Sequence, residues 1–361
     1  MRAAGVVPGT VGSALLVCAA RASPLWLQRH VFQPGYFVPP GASAAWVVRG
    51  LLVLLGAALL FIALRLRSWG ALVRSAAALL LALLAVEGAL RLVEKPETQS
   101  RNPRLEARLG QPDAQLGWTL TPSRTSEVQV WRGERRVRYA VDAHGDRAPA
   151  QDFAEDPAAP TVIVTGESIA FGHALDWTEA LPGLLQRELG MQIIDVDVGG
   201  YGSDQAYQRL ASALPRFRNL VATVTLVVPV QLGRNVQSYR PRLALQEGAL
   251  RLRAGAPSRL RLGRLFLDEL PLLAGGRLEE SLRLTRALFQ RTAQLGPALF
   301  VLVDLGEPHG ATDWLAESLL TGLRFVRVEL RRDQLLADGH PDAAATFQIA
   351  RAVAAELRRG R

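Results

Sequence analysis

The chain has 361 residues, 49% of them hydrophobic and 21% charged, with a formal net charge of +9. That balance excludes a disordered chain, and the single cysteine, Cys18, excludes an internal disulfide or a cysteine-built metal site. The positive charge is almost all arginine, Lys95 being the sole lysine. Neither a zinc-ligand spacing nor a basic helix with interleaved aromatics accompanies it, so nucleic acid is set aside in favour of an anionic surface or polymer.

The apolar excess is local. "AAWVVRGLLVLLGAALLFIAL" (44–64) and "SAAALLLALLAVEGALRLV" (75–93) each approach the ~20 residues that cross a bilayer core. Arg65, Arg67 and Arg74 lie between them. The positive-inside rule then puts that loop in the cytoplasm and everything after about residue 95 outside it. A shorter apolar stretch at 11–20 reads either as a signal-peptide core or as another spanning helix. Residues 1–95 are thus expected to be a membrane anchor.

Residues 96–158 open as a polar linker punctuated by Pro96, Pro103 and Pro112. They continue as a small β module. "LGWTLTP", "SEVQVW" and "RVRYAVDAHGDR" alternate apolar and polar residues, which predicts two or three short strands. His144 reads as a solvated turn residue there.

From residue 159 to the end, strand-like and helix-like segments alternate. Near-continuous apolar runs at 161–165, 192–198, 221–230, 298–305 and 324–330 read as strands covered on both faces. Helical stretches at about 177–189, 205–214, 278–294, 313–320 and 343–357 separate or follow them. The expected fold is a three-layer α/β/α, doubly wound parallel sheet of five strands. An Arg/Leu-rich insertion at about 236–276 breaks the rhythm. It reads as a lid, a membrane-surface patch, a track for an anionic glycan or a plain solvated insertion.

In such sheets ligands bind outside the carboxyl ends of the strands. The segments that follow those ends are "GES" (166–168), "GGYGSDQ" (199–205), "QLGRN" (231–235) and "DGHPD" (338–342). A serine, glycine-rich backbone, an asparagine and an Asp beside a His converge on one rim, which are the parts acyl transfer needs. By residue type alone Ser168 is equally a nucleophile or a helix N-cap. His173 reads as a helix-start residue, and His309 as a fallback base. The glycines at 199–202 do not form G-x-G-x-x-G, which sets dinucleotide binding aside.

These blocks resemble the SGNH (GDSL-type) hydrolase family over about residues 110–357. "GESIAFG" is similar to the family's G-D-S-x-x-x-G block, with Glu167 for Asp. "DVDVGGYGSDQ" resembles N-x-G-x-x-G-Y-G-x-D-Q, with Asp195 and Asp197 where Asn and Gly are usual. "GRN" resembles G-x-N-D, with Val236 for Asp, and "DGHPDAAATFQIA" resembles the final block, with D-G-H for D-x-x-H. The resemblance implies Ser168 as nucleophile, His340 as general base and Asp338 as its orienter. It also implies an oxyanion hole from the backbone N–H groups of Ser168 and Gly200 with the Asn235 side chain. No cofactor or metal is implied. The expected activity is that of an extracytoplasmic esterase or O-acyltransferase on a bacterial inner membrane. Its substrate would be acyl esters on a small molecule or on cell-envelope or exported polysaccharide, with envelope proteins as further partners. The alternative is a catalytically impaired module that binds glycan or scaffolds an envelope complex.

Overall fold

The computed structural model describes residues 6–21, 50, 53–62, 80, 83–84, 87–88, 109–130, 135–255, 277–306, 311–336 and 338–360. The chain divides into two compact units, Met1–Pro96 with Ser258–Gly276, and Glu97–Pro257 with Arg277–Arg361.

In the first unit, helix α1 (Val6–Arg21) packs against helical residues 53–62. A Cβ added to Gly12 would lie 2.8 Å from the Gly56 carbonyl oxygen, and one on Gly56 would lie 2.9 Å from that of Gly12. Only glycine permits backbones this close, a device common where helices pack within lipid. Val17, Leu54 and Phe61 are exposed. The stretches 44–64 and 75–93 fall largely outside the described residues. Among the described residues no helix is long and apolar enough to cross a membrane.

The strands of the second unit are, in chain order, β1 (Gly110–Asp113), β2 (Gly117–Leu120), β3 (Arg124–Val130), β4 (Arg135–Val141), β5 (Arg147–Ala148), β6 (Thr161–Thr165), β7 (Gln192–Asp195), β8 (Leu220–Val227), β9 (Arg242–Gln246), β10 (Ala249–Arg253), β11 (Ala298–Asp304) and β12 (Phe325–Glu329). Its helices are α2 (Ser168–Phe171), α3 (Leu181–Leu189), α4 (Ser203–Ala213), α5 (Val230–Asn235), α6 (Leu278–Leu295), α7 (Ala311–Leu315) and α8 (Ala343–Arg359). The segment at 313–320, expected as one helix, is α7 followed by a π-helical turn over Ala316–Leu320.

The main sheet runs β12-β11-β8-β6-β7-β5-β4-β3. Its first five strands are parallel and are the five expected from the apolar runs. The expectation of a five-stranded sheet is nevertheless corrected to eight. β5, β4 and β3 continue it antiparallel beyond β7, joined there through the pair Arg147 and Asp195. These strands of the small β module cover an edge that would otherwise present unpaired backbone groups.

β6 explains the three layers. All its residues are buried. Val162 and Val164 face a core shared with Leu184 and Leu185 of α3 and Ile349 and Val353 of α8. Ile163 faces the opposite core, against Leu210 and Ala213 of α4. A third cluster joins Leu116, Leu120, Val137 and Tyr139 of the β module to Phe171, Val198 and Tyr201. The module therefore packs onto the loops at the sheet's carboxyl edge. The described start of the insertion is the β9–β10 hairpin, whose Leu243 and Leu250 pack with Leu284 and Leu288 of α6. Its remainder, 256–276, is outside the described residues.

Candidate active site

Along the sheet the parallel strands follow the order β7-β6-β8-β11-β12, so the winding reverses between β6 and β8. That switch point is where α/β sheets bind ligands, and the loops after β6 and β8 carry Ser168 and Arg234.

α2 is a single turn. Its N-cap is Glu167, whose carboxylate accepts the Ile169 N–H at 3.0 Å, so Ser168 is its first helical residue and not its cap. The turn stops at Gly172, which has φ +74; a Cβ there would meet Ala180 at 2.5 Å. No other residue meets both demands. The stop folds the chain back, and His173 N–H donates to the Ser168 carbonyl at 2.9 Å.

His340 Nε2 lies 2.8 Å from Ser168 Oγ. Asp338 reaches His340 despite the short spacing because Gly339 adopts φ +88 and turns the chain between them. The carboxylate accepts the His340 backbone N–H at 3.1 Å through Oδ1, and the same oxygen lies 3.1 Å from Nδ1. The Nδ1–H does not point along that line, so the approach is close without being an aligned hydrogen bond. Asp338 Oδ2 lies 3.1 Å from His173 Nε2. Partial burial pushes the Asp338 carboxyl up, but its close contacts with His173 and then His340 outweigh it and hold the group well below the usual carboxylate range.

Glu167 is buried, and it accepts from Ser168 Oγ through Oε2. The same oxygen lies 3.1 Å from Arg234 Nη1, which also donates to the Tyr201 carbonyl at 3.1 Å. Burial pushes the Glu167 carboxyl up; Arg234, His340 and the hydrogen bonds from Ser168 and Ile169 bring it below its ordinary value. The serine hydroxyl has one hydrogen and two acceptors within reach, Glu167 Oε2 and His340 Nε2. Arg234 draws on the Oε2 charge and so weakens the competing acceptor. Replacing Arg234 with Gln is expected to cost about 2–3 kcal/mol of stability, softened because Arg234 is 14% exposed. Adding Glu167→Gln should recover most of the stability, as thermal unfolding of the two variants would show.

Among the described residues no acceptor takes the backbone N–H of Ser168 or Gly200. Both are free to face a developing oxyanion. Asn235 differs from expectation. It is wholly buried, its Nδ2 donates to Thr285 Oγ1 at 2.7 Å and its Oδ1 accepts weakly from Asp204 N–H at 3.4 Å. Its amide is thus anchored to α6 and α4 rather than to the Ser168 group. The neighbouring Arg234 is the side chain of "GRN" that meets the serine loop.

The "GGYGSDQ" loop is fixed from outside. Trp118 Nε1 donates to the Gly199 carbonyl at 3.2 Å, and Tyr201 Oη donates to the Trp118 carbonyl at 2.7 Å. Gln205 bridges Gly202 N–H and the Leu116 carbonyl. Asp204 forms a buried bidentate pair with Arg240, at 2.8 and 2.9 Å. Sequence reading missed these roles of Trp118 and Arg240, and it missed His173 as a partner of Asp338 and Glu167 as an acceptor for the serine hydroxyl. The glycine directly before His173 was the signal available for the first of these.

Asp195 and Asp197 are fully buried, and Asp195 Oδ2 and both Asp197 oxygens have no hydrogen-bond donor among the described residues. Burial pushes Asp195 up to about 7 although Arg147 stands beside it, and burial with the Asp195 charge pushes Asp197 well up too. A carboxyl raised in the fold holds a proton that the unfolded chain releases. Its contribution to stability is full below the ordinary 3.8 and is lost as pH rises through about 7. Asp197 is raised for the same reason and loses its contribution in the same direction, so Asp197→Asn should stabilise the fold more at pH 8 than at pH 5, read by calorimetry.

His173, Asp338 and His340 offer three ligand-type atoms within 4.8 Å of one another, as do Asp142, Asp146 and Glu155. In the first group the three side chains contact one another, and in the second Arg209 and Arg216 already pair with Asp146, so neither cluster is assigned an ion.

No protein-family model and no curated protein matches the chain. Among solved structures, it is similar to a protein described as lipolytic and of the G-D-S-L family from Desulfitobacterium hafniense DCB-2. The TM-score is 0.33 and the identity 10%, over 55% of this chain and 99% of that one. It is also similar to an acetyl xylan esterase from Butyrivibrio proteoclasticus. There the TM-score is 0.35 and the identity 10%, over 58% of this chain and 66% of that one.

Proposed function

We propose that the protein is a serine esterase or O-acyltransferase. The observation that carries this is the 2.8 Å approach of His340 Nε2 to Ser168 Oγ, with Asp338 on the far side of the imidazole. Ser168 Oγ attacks the ester carbonyl carbon as its proton passes to His340 Nε2, and the Ser168 and Gly200 N–H groups receive the oxyanion. Collapse breaks the bond to the leaving oxygen, which takes the proton from His340, and leaves an acyl-serine. Water or a sugar hydroxyl then attacks that carbonyl and gives its proton to His340. The proton returns to Ser168 as the acid or the transferred ester departs. Asp338 stays ionised and stabilises the imidazolium.

The acyl donor is an ester of a small molecule or of an exported or cell-envelope polysaccharide, handled outside the cytoplasm by a chain anchored in the bacterial inner membrane, alongside envelope partner proteins. Support for the anchor comes from the two apolar stretches, the arginines between them and the close Gly12–Gly56 helix crossing with exposed Val17, Leu54 and Phe61. The test is hydrolysis of 4-nitrophenyl acetate by the full chain in detergent micelles, beside Ser168→Ala and His340→Ala. Equal rates for all three would overturn the reading.

A further inference from the structure

We propose that His173 is a positioning residue for the catalytic base, supplying the alignment that the short Asp338-Gly339-His340 spacing does not. The inference rests on the esterase reading above.

Three observations meet on this side chain. It is 6% exposed, so water does not compete for its contacts. Its Nε2 lies 3.1 Å from Asp338 Oδ2, the carboxylate oxygen that His340 leaves unused. Its ring stacks on the His340 ring, with centroids 4.1 Å apart and planes inclined by 25°.

The need for such a residue follows from the spacing. With one residue between Asp338 and His340, the carboxylate bends back onto the His340 backbone N–H. Oδ1 then meets Nδ1 at hydrogen-bond distance but off line. A carboxylate held only by that backbone contact is free to rotate about its Cβ–Cγ bond, and the imidazole is free to rock about its own χ2. His173 restrains both. Its Nε2–H pins Oδ2, and its ring face limits the tilt of His340 toward or away from Ser168.

The loop that carries His173 is itself rigid. Arg147 Nη1 and Nη2 donate to the Gly172 and Leu175 carbonyls at 3.0 and 2.7 Å, and the Ala174 N–H donates to Tyr139 Oη at 2.9 Å. A positioning residue needs this kind of support from behind.

The test compares full-chain wild type, His173→Gln, His173→Phe, His173→Ala, Asp338→Asn and the double variant His173→Ala/Asp338→Asn on 4-nitrophenyl acetate. Far-ultraviolet circular dichroism and thermal unfolding accompany each. Gln places an amide nitrogen where Nε2 stood, so it should keep turnover within about threefold of wild type. Phe keeps the stacked face without the donor, and Ala keeps neither. Both should lose about 10- to 100-fold in kcat with KM little changed, the range for a lost hydrogen bond to a charged group. Because His173 acts through Asp338, its removal should cost little more once Asp338→Asn is present. Equal losses for Gln and Ala, or full additivity in the double variant, would overturn the proposal, as would wild-type turnover in folded His173→Ala. Ser168→Ala, run in parallel, separates this failure from failure of the esterase reading: unchanged turnover in that variant would sink both, whereas lost turnover there with wild-type turnover in His173→Ala would sink the positioning role alone.

Discussion

Ser168→Ala is expected to lower kcat for ester hydrolysis by at least about 10³-fold while leaving the fold and KM nearly intact. The side chain is 6% exposed and sits at the start of a turn whose cap belongs to Glu167. Losing its hydroxyl therefore removes no capping bond and opens only a one-atom space. What is lost is the atom that, in the proposed mechanism, forms the acyl-enzyme. Residual catalysis over water, about 10³–10⁴-fold in enzymes of this type, comes from substrate binding and the oxyanion donors. His340→Ala should fall to a similar floor, and the double variant should fall no lower, because the two groups work as a unit. Steady-state kinetics with active-site titration by a serine-directed phosphonate checks this. The probe should add its mass at Ser168 in wild type and nowhere in Ser168→Ala. Labelling at another serine, or rates that multiply in the double variant, would remove Ser168 and His340 from the chemistry.

Arg147→Met should be the most destabilising single change outside the reacting groups, by about 3–5 kcal/mol, a drop of roughly 10 °C in Tm for a domain of this size. The guanidinium is 2% exposed and lies 4.8 Å from the ring centres of both Tyr139 and Phe171. It holds the Gly172 and Leu175 carbonyls, and it is the cation beside the buried Asp195. Methionine fills much of the volume but leaves two carbonyls without their donor and the buried Asp195 without its neighbouring cation. The effect should exceed that of Arg234→Gln, whose site retains some access to water. Activity should fall as well, since this arginine braces the loop bearing His173. A Tm within 2 °C of wild type, measured on the full chain, would contradict the role.

Sequence and structure divide the account of this fold along physical lines. The five parallel strands were legible because a strand covered on both faces must be apolar throughout, and the chain shows five such runs at the spacing of crossover helices. β3, β4 and β5 were legible as strands by alternation, yet their partner was not. Nothing local in "RVRYAV" specifies pairing toward β7, a choice made by the edge left open there. The ends of the strands pointed to Ser168, His340 and Asp338 because motif spacing places them on one rim. Side-chain direction at that rim was a different matter. Asn235 and Arg234 are neighbours in sequence, and only the packing of α5 against α6 sends the asparagine to Thr285 and the arginine to Glu167.

The sequence by itself determined the apolar stretches near the start, the parallel strand core and the set of chemical groups at the carboxyl edge, since each is written in local composition or period. Tertiary structure decided which groups touch. It turned Glu167 and not Ser168 into the helix cap, and it extended the sheet through the Arg147 and Asp195 pair. It also brought His173 onto Asp338, across a stretch of chain that no local pattern could bridge. Those contacts depend on how distant loops pack, and packing is a property of the whole chain rather than of any short stretch.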